Sequence, residues 1–247
     1  MSQSVCYSAL IPTDWLYPPS LKAAAQIQKE LAERVIVKDQ LPAITTIGGM
    51  DVCNNLYDPK QMVYATVVVL DAQQLSLLET HNAALKQPFP YISGFLGFRE
   101  TPALIKAIDH LPKLPDIILV DGHGISHPRG LGIASHIGVL LDRPTIGVAK
   151  SILVGKPEGE LNPEAGSQVP LVWKDRQIAT VLRTKNRCNP LIIAPGHRIS
   201  HATAVELVLK YCRGYRLPEP TRFAHQMSNE YRKRFTPNKQ ESSDQSL

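Results

Sequence analysis

Asp116-Ile-Ile-Leu-Val-Asp121-Gly-His-Gly-Ile-Ser-His127-Pro-Arg129-Gly130 reads as a short strand running into a loop rich in glycine and histidine. Four successive apolar residues suit a strand covered on both faces. Strands disfavour aspartate, so Asp121 at the end of this one calls for compensation nearby. Gly122 beside it lets a backbone or a ligand come close. A turn capped by Asp is an adequate account of the loop alone, because Asp-Gly is a common turn signal. A carboxylate with imidazole and guanidinium neighbours at the mouth of a buried strand also suits metal-assisted phosphate chemistry.

The pattern alternates outward from this strand. Upstream, Glu100-Thr-Pro102 is expected to open a helix running to about His110, with proline at an early helical position. Downstream come an apolar helix over residues 131–141 and a strand over residues 144–149. Helix–strand–helix–strand order argues for parallel strands.

Further upstream, residues 1–18 hold Pro12, Pro18 and Pro19 and should be irregular. A helix is expected over residues 20–37, capped by Ser20, with its Gln, Lys and Glu side chains facing solvent. Strands over residues 43–52, 62–70 and 75–83 have short links, including Asn54 to Pro59, and suggest an antiparallel meander. Beyond residue 150, a hairpin over 169–173 and 177–183 turns at Lys174-Asp175-Arg176. A short strand at 191–194 and helices near 200–212 and 220–234 follow. Residues 236–247 are polar and read as a disordered tail after one domain over residues 1–235. Three strands followed by helix–strand–helix–strand is the order of a ribonuclease-H-like α/β fold, a mixed sheet flanked by helices.

Composition sets wider bounds. The chain has 247 residues, 43% of them hydrophobic, enough for one sizeable core. A net charge of +5 permits a polyanionic partner without requiring one. Cys6, Cys53, Cys188 and Cys212 form no Cys-x-x-Cys pair, which disfavours a zinc site or a disulfide framework. Reduced thiols, with neither a signal-peptide pattern nor an apolar run of membrane length, lead us to expect a soluble cytoplasmic protein without a membrane partner. No internal repeat is present, and no obligate protein partner is evident.

Three acids share comparable places. Asp51 ends the first strand, Glu100 starts a helix, and Asp121 ends the strand after it. If those strands are neighbours, the carboxylates converge at one sheet edge, where Mg²⁺ or Mn²⁺ would relieve their repulsion. Each has a structural alternative: a turn for Asp51, a helix dipole for Glu100, a loop cap for Asp121. Lys150, just past the 144–149 strand, is either a cation for a transition-state phosphate or a solvated charge. His127 and Arg129 are candidate phosphate contacts. His123 and His136 are weaker, the latter reading equally as a core histidine. Pro195-Gly-His197-Arg198 before a helix is either an anion site or an ordinary cap. Pro90-Tyr91-Ile92 can wedge between bases or pack on the core, and Gly94 allows backbone groups to line a small pocket.

Taken together, several segments resemble the endonuclease V family of deoxyinosine 3′-endonucleases. They are Gly49-Met-Asp51, Pro90-Tyr91-Ile92-Ser-Gly-Phe-Leu-Gly-Phe-Arg-Glu100, Val120-Asp121-Gly-His-Gly-Ile-Ser-His127-Pro-Arg129, Gly132-Ile-Ala-Ser-His136, Gly147-Val-Ala-Lys150-Ser151 and Pro195-Gly-His197-Arg198. The resemblance implies a ribonuclease-H-like fold and Mg²⁺-dependent hydrolysis, with Mn²⁺ able to substitute. It implies recognition of inosine in DNA, with RNA as the alternative substrate, and a cut at the second phosphodiester on the 3′ side. The ends left are 3′-hydroxyl and 5′-phosphate. Asp51, Glu100 and Asp121 become metal-binding acids, with His225 near the metal and Lys150 a cation of the catalytic site. Tyr91 becomes the wedge, flanked by Pro90 and Ile92, and Gly94 and Leu96 line the base pocket. Gly122, His127, Arg129 and His197 complete the expected substrate contacts, and His127 and His225 are both candidate general bases. One departure is visible: the wedge usually reads Pro-Tyr-Ile-Pro, and Ser93 stands in place of the second proline. The competing class is a non-catalytic ribonuclease-H-like module that binds nucleic acid, against which all three acids and Lys150 argue.

Overall fold

The computed structural model describes residues 6–54 and 60–235. In it the Ile117–Val120 strand lies between two parallel neighbours inside a nine-stranded sheet. A 3-10 turn at Tyr7–Leu10 and a short helix α1 (Thr13–Leu16) precede α2 (Leu21–Ala32), so the expected irregular N-terminus is partly helical. Ser20 caps α2 by accepting from the Ala23 N–H at 3.1 Å. The helix stops before residue 37 because the chain turns away to dock elsewhere: the Ile36 N–H donates to His197.

Strands β1 (Thr46–Asn54), β2 (Met62–Asp71) and β3 (Leu77–Lys86) form the expected antiparallel meander. β3 starts later than residue 75 because Leu75 adopts φ +56 in the intervening turn. Helix α3 (Leu96–Ile108), β4 (Ile117–Val120), α4 (Ile133–Leu141) and β5 (Thr145–Ala149) follow, with β1, β4 and β5 parallel. β6 (Lys156–Pro157), β7 (Gln168–Trp173) and β8 (Arg176–Leu182) extend the sheet. The β7–β8 turn holds Lys174 and Asp175 at φ +52 and +59, the left-handed pair a tight hairpin requires. β9 (Leu191–His197) inserts antiparallel between β5 and β8, giving the order β3-β2-β1-β4-β5-β9-β8-β7-β6. Helices α5 (His201–Lys210) and α6 (Glu219–Lys233) close the chain.

Helix α3 corrects the expected start at Glu100. It begins at Leu96, and Pro102 lies inside it, not in its first turn. Proline there leaves the Phe98 carbonyl without its usual helical donor. The Asn54-to-Pro59 connection, apart from its first residue, and the polar tail over 236–247 lie outside the described residues.

At its centre the sheet is buried on both faces, which is why β4 is apolar throughout. Ile118 and Val120 face one core with Met50, Leu104, Ile108 and Ile137, under α3 and α4. Ile117 and Leu119 face a second core with Ile47, Val148, Val208 and Tyr211, under α5. Helix α6 packs on β1 because Gly49 has no side chain: a Cβ there would meet the Pro220 carbonyl oxygen at 2.0 Å. Among the described residues no helix is long and apolar enough to cross a membrane.

Candidate active site

Parallel pairing of β1 and β4 in the register Met50 to Val120 sets the next residues, Asp51 and Asp121, side by side at one sheet edge. The Asp121 N–H donates to the Met50 carbonyl at 2.9 Å, which fixes their separation. β5 is the next parallel strand, and Lys150 just past its end donates from Nζ to Asp121 Oδ2 at 2.5 Å. Helix α6, held against β1 at Gly49, brings His225 over the pair. Its Nδ1–H donates to Asp51 Oδ2 at 3.1 Å, and Nδ1 lies 3.9 Å from Asp121 Oδ2. Ser228 donates its hydroxyl to the same Asp51 oxygen. Asn229 braces the helix turn by donating to the His225 carbonyl at 2.8 Å.

Crowding leaves its mark on protonation. Burial, and then the Asp51 carboxylate beside it, push the Asp121 carboxyl up against the opposing pull of Lys150 and His225. The hydrogen bond to Asp51 raises the His225 imidazole above its usual value despite partial burial. One ligand atom from each of Asp51, Asp121 and His225 lies within 4.8 Å of the others. Two nearly buried carboxylates and an imidazole form a donor set that fits a divalent cation, and the carboxylate oxygens suit a hard one.

Glu100 lies outside this tight group. It sits on α3 and lines, with Asp121, a cavity of about 450 Å³. Tyr91, Gly94, Leu96, Gly122 and His127 line the same cavity, and Tyr91 is half exposed at 50%. Pro90 and Ile92 do not line it; Pro90 borders a separate groove with Tyr17 and Phe89.

His127 and Arg129 are bonded within the protein. Arg129 N–H donates to His127 Nδ1 at 3.2 Å, and His127 Nε2–H donates to the Gly94 carbonyl at 3.1 Å. Burial, helped by the Arg129 charge, pulls this imidazole down to about 3, so it is neutral near pH 7 with both nitrogens engaged. Arg129 Nη2 donates to the same carbonyl at 2.6 Å, and its guanidinium covers the Phe95 ring at 4.2 Å. His123 also lines the cavity and pairs with Ser126, while burial pulls it down to about 4. His136 takes its core reading: it is buried, bonded to the Trp15 carbonyl at 2.9 Å, and pulled down to about 4.

His197 is not brought to the site. Residues 195–197, expected to precede a helix as an anion site or an ordinary cap, are the last residues of β9. β9 runs antiparallel to β5, so His197 pairs with Thr145 at the edge opposite Lys150. There it accepts from the Ile36 N–H and donates to Asp142 at 3.3 Å, beside the Asp142–Arg198 ion pair. The helix that follows is capped by Ser200, itself bonded to Asp39, which completes the cap without a ligand.

Three contributors escaped the sequence reading. Ser228 and Asn229 follow His225 at the spacing of one helix face, a signal that was available. Gln28 was expected in solvent with the other polar residues of α2; it is only 2% exposed and donates to the Gly94 carbonyl at 2.9 Å.

A family model described as Endonuclease V matches residues 29–226. Endonuclease V of Protochlamydia amoebophila (strain UWE25) is 56% identical over 219 residues, 89% of this chain and 93% of that relative. The crystal structure of endonuclease V from Streptomyces avermitilis superposes with a TM-score of 0.84 at 36% identity, over 92% of this chain and 98% of that one. Endonuclease V of Ciona intestinalis, crystallised with a 24mer DNA containing an inosine followed by a ribo-adenosine, superposes with a TM-score of 0.71 at 27% identity, over 85% of this chain and 97% of that one. Because the match runs from α2 into α6, through all the strands that carry the acids, this chain belongs to the endonuclease V family and is a nuclease that hydrolyses phosphodiester bonds.

Proposed function

We propose that this protein is a Mg²⁺-dependent DNA repair endonuclease that recognises deoxyinosine and hydrolyses the second phosphodiester bond 3′ to it, leaving 3′-hydroxyl and 5′-phosphate ends. The observation that carries this reading is that Asp121, grouped with Asp51 and paired with Lys150 at the sheet edge, also lines the cavity formed by Tyr91, Gly94 and Leu96. The inosine-containing DNA bound to the Ciona relative supports the choice of substrate.

Asp51 and Asp121 would hold Mg²⁺, or Mn²⁺ in its place, with Glu100 and His225 beside them. A bound divalent cation supplies polarisation of the phosphodiester and a lowered pKa for the attacking water. Lys150 offsets negative charge on the phosphate. The half-exposed Tyr91 ring fills the place of an extruded base in the stack. The base itself enters the cavity, whose volume of about 450 Å³ lies within the range of small-ligand sites. The wedge and pocket residues thus adjoin the acid group through Asp121 without being part of it, which suits a cut displaced from the lesion. The four free cysteines agree with a reducing compartment, and we assign the protein to the cytoplasm.

The test is a nicking assay on a duplex with one inosine, a matched adenine duplex, and the same sequence as single-stranded RNA. Wild type with Mg²⁺ should nick the inosine duplex at the second 3′ phosphodiester, and neither chelated enzyme nor Asp51→Ala should do so. Equal cutting of inosine and adenine duplexes would sink the substrate assignment. Equal cutting by wild type and Asp51→Ala would sink the site. Faster cutting of the RNA would transfer the reading to inosine-containing RNA.

A further inference from the structure

We propose that Gln28 is a positioning residue for base recognition: from α2 it fixes the Gly94 peptide and so holds the Tyr91 loop in its wedge-forming shape. The proposal rests on the inosine reading above and adds a part that the wedge motif itself does not contain.

The Gly94 carbonyl accepts from three side chains: Gln28 Nε2 at 2.9 Å, His127 Nε2 at 3.1 Å and Arg129 Nη2 at 2.6 Å. A carbonyl has two lone pairs, so three donors saturate it. Gln28 uses both ends of its amide, because its Oε1 accepts from Arg129 Nε. It therefore sets the arginine as well as the carbonyl. At the other end of the loop Arg99, only 5% exposed, donates to the Gln87 and Phe89 carbonyls at 3.1 and 2.7 Å. Between these two anchors stand Pro90, Tyr91, Ile92 and Ser93.

The turn explains why anchors are needed. Phe95 N–H donates to the Ile92 carbonyl at 2.9 Å, and Gly94 has φ +79. That is a type II turn with Ser93 at its first central position, where proline is favoured because its ring presets the backbone. Serine leaves that dihedral free, and local sequence then restrains the loop only up to Pro90. Buried polar groups reaching in from α2, α3 and the loop after β4 impose the shape from outside. A side chain at Gly94 would crowd Arg129 Nη2 at 3.1 Å, which ties the glycine to the same arrangement.

The test is steady-state nicking of the inosine duplex by Gln28→Leu. KM should rise about tenfold, the worth of about 1.4 kcal/mol, with kcat within about twofold because Asp51, Asp121 and Lys150 are untouched. Adding Ser93→Pro should recover most of that KM, since the ring presets the turn that the glutamine held. Gln28→Glu keeps an acceptor for Arg129 but loses the donor to Gly94, and should raise KM in the same direction. The proposal is overturned if KM is unchanged, or if kcat falls with melting temperature and Ser93→Pro rescues nothing. If wild type does not prefer inosine, the substrate reading fails separately. Hydrogen exchange then decides the clamp: the Tyr91, Ile92 and Phe95 amides must exchange faster in Gln28→Leu and slow again with Ser93→Pro, and unaltered exchange overturns it.

Discussion

Asp116 and Asp121 flank the same four-residue strand, and their surroundings are opposite. Asp116 Oδ2 accepts from the backbone and hydroxyl of Thr45 at 2.9 and 2.8 Å and from those of Thr46 at 2.9 and 3.1 Å. Burial pushes this carboxyl up, yet the four donors together hold it below its usual value. Asp121 Oδ2 has the Lys150 amine and a second carboxylate close by, and burial with that neighbour carries it the other way. One aspartate is satisfied by its own chain and ties β1 to β4. The other is left short of donors at the sheet edge, in a group of ligand atoms that a divalent cation would fit. Residue type does not separate the two; the supply of donors does.

The largest break in this comparison should come from Asp121→Asn. Nicking of the inosine duplex should fall about a thousandfold, the scale for losing electrostatic stabilisation of the transition state, here by way of the cation that Asp121 would hold. Urea stability should move by less than about 1 kcal/mol, because a crowded charge is lost with its repulsion. Retention of activity within tenfold would place Asp121 with Asp116 as a structural acid.

Next in size is the metal. Mg²⁺ at a hundredfold excess over its Kd should stabilise wild type by about 2.7 kcal/mol, read as a rise in melting temperature that chelation reverses. The Asp121→Asn protein should show little of it. An equal rise in both proteins would put the cation elsewhere.

Asp116→Asn should do the reverse of Asp121→Asn. It should cost about 2 kcal/mol in urea, through a buried amide among donors arranged for a carboxylate, while kcat is kept. The smallest effect is its pH dependence. A depressed folded pKa contributes stability that is present above the unfolded value of about 3.9 and is lost as pH falls through the folded one. The stability gap between wild type and Asp116→Asn should therefore narrow below about pH 4, and a constant gap would show that the carboxylate charge is not what matters.

Much of this was legible in the chain. Apolar runs and turn residues are local signals, and they gave the meander, the parallel β4 and β5, and the acids at the ends of β1 and β4. The step from strand end to shared edge needed only that parallel neighbours end on the same side, which made Asp51, Asp121 and Lys150 readable in advance. The start of α3 misled because Pro102 looks like a first-turn proline, whereas the turn at Ser93-Gly94 sets the helix start at Leu96.

His197 could not be placed from its motif. Sheet order decides that β9 runs antiparallel to β5, and that direction sends its last residue to the far edge. Gln28 was equally hidden, because its partner lies 66 residues away in sequence, whereas Ser228, 177 residues from Asp51, is marked only by its helical spacing from His225. The amino-acid sequence alone determined most of the elements, the family motifs and which residues can carry charge at a strand end. Tertiary structure alone decided which polar groups are buried and which carbonyl or carboxylate each one meets. Backbone periodicity is a local property, whereas the supply of hydrogen-bond donors at a site comes from segments that only folding brings together.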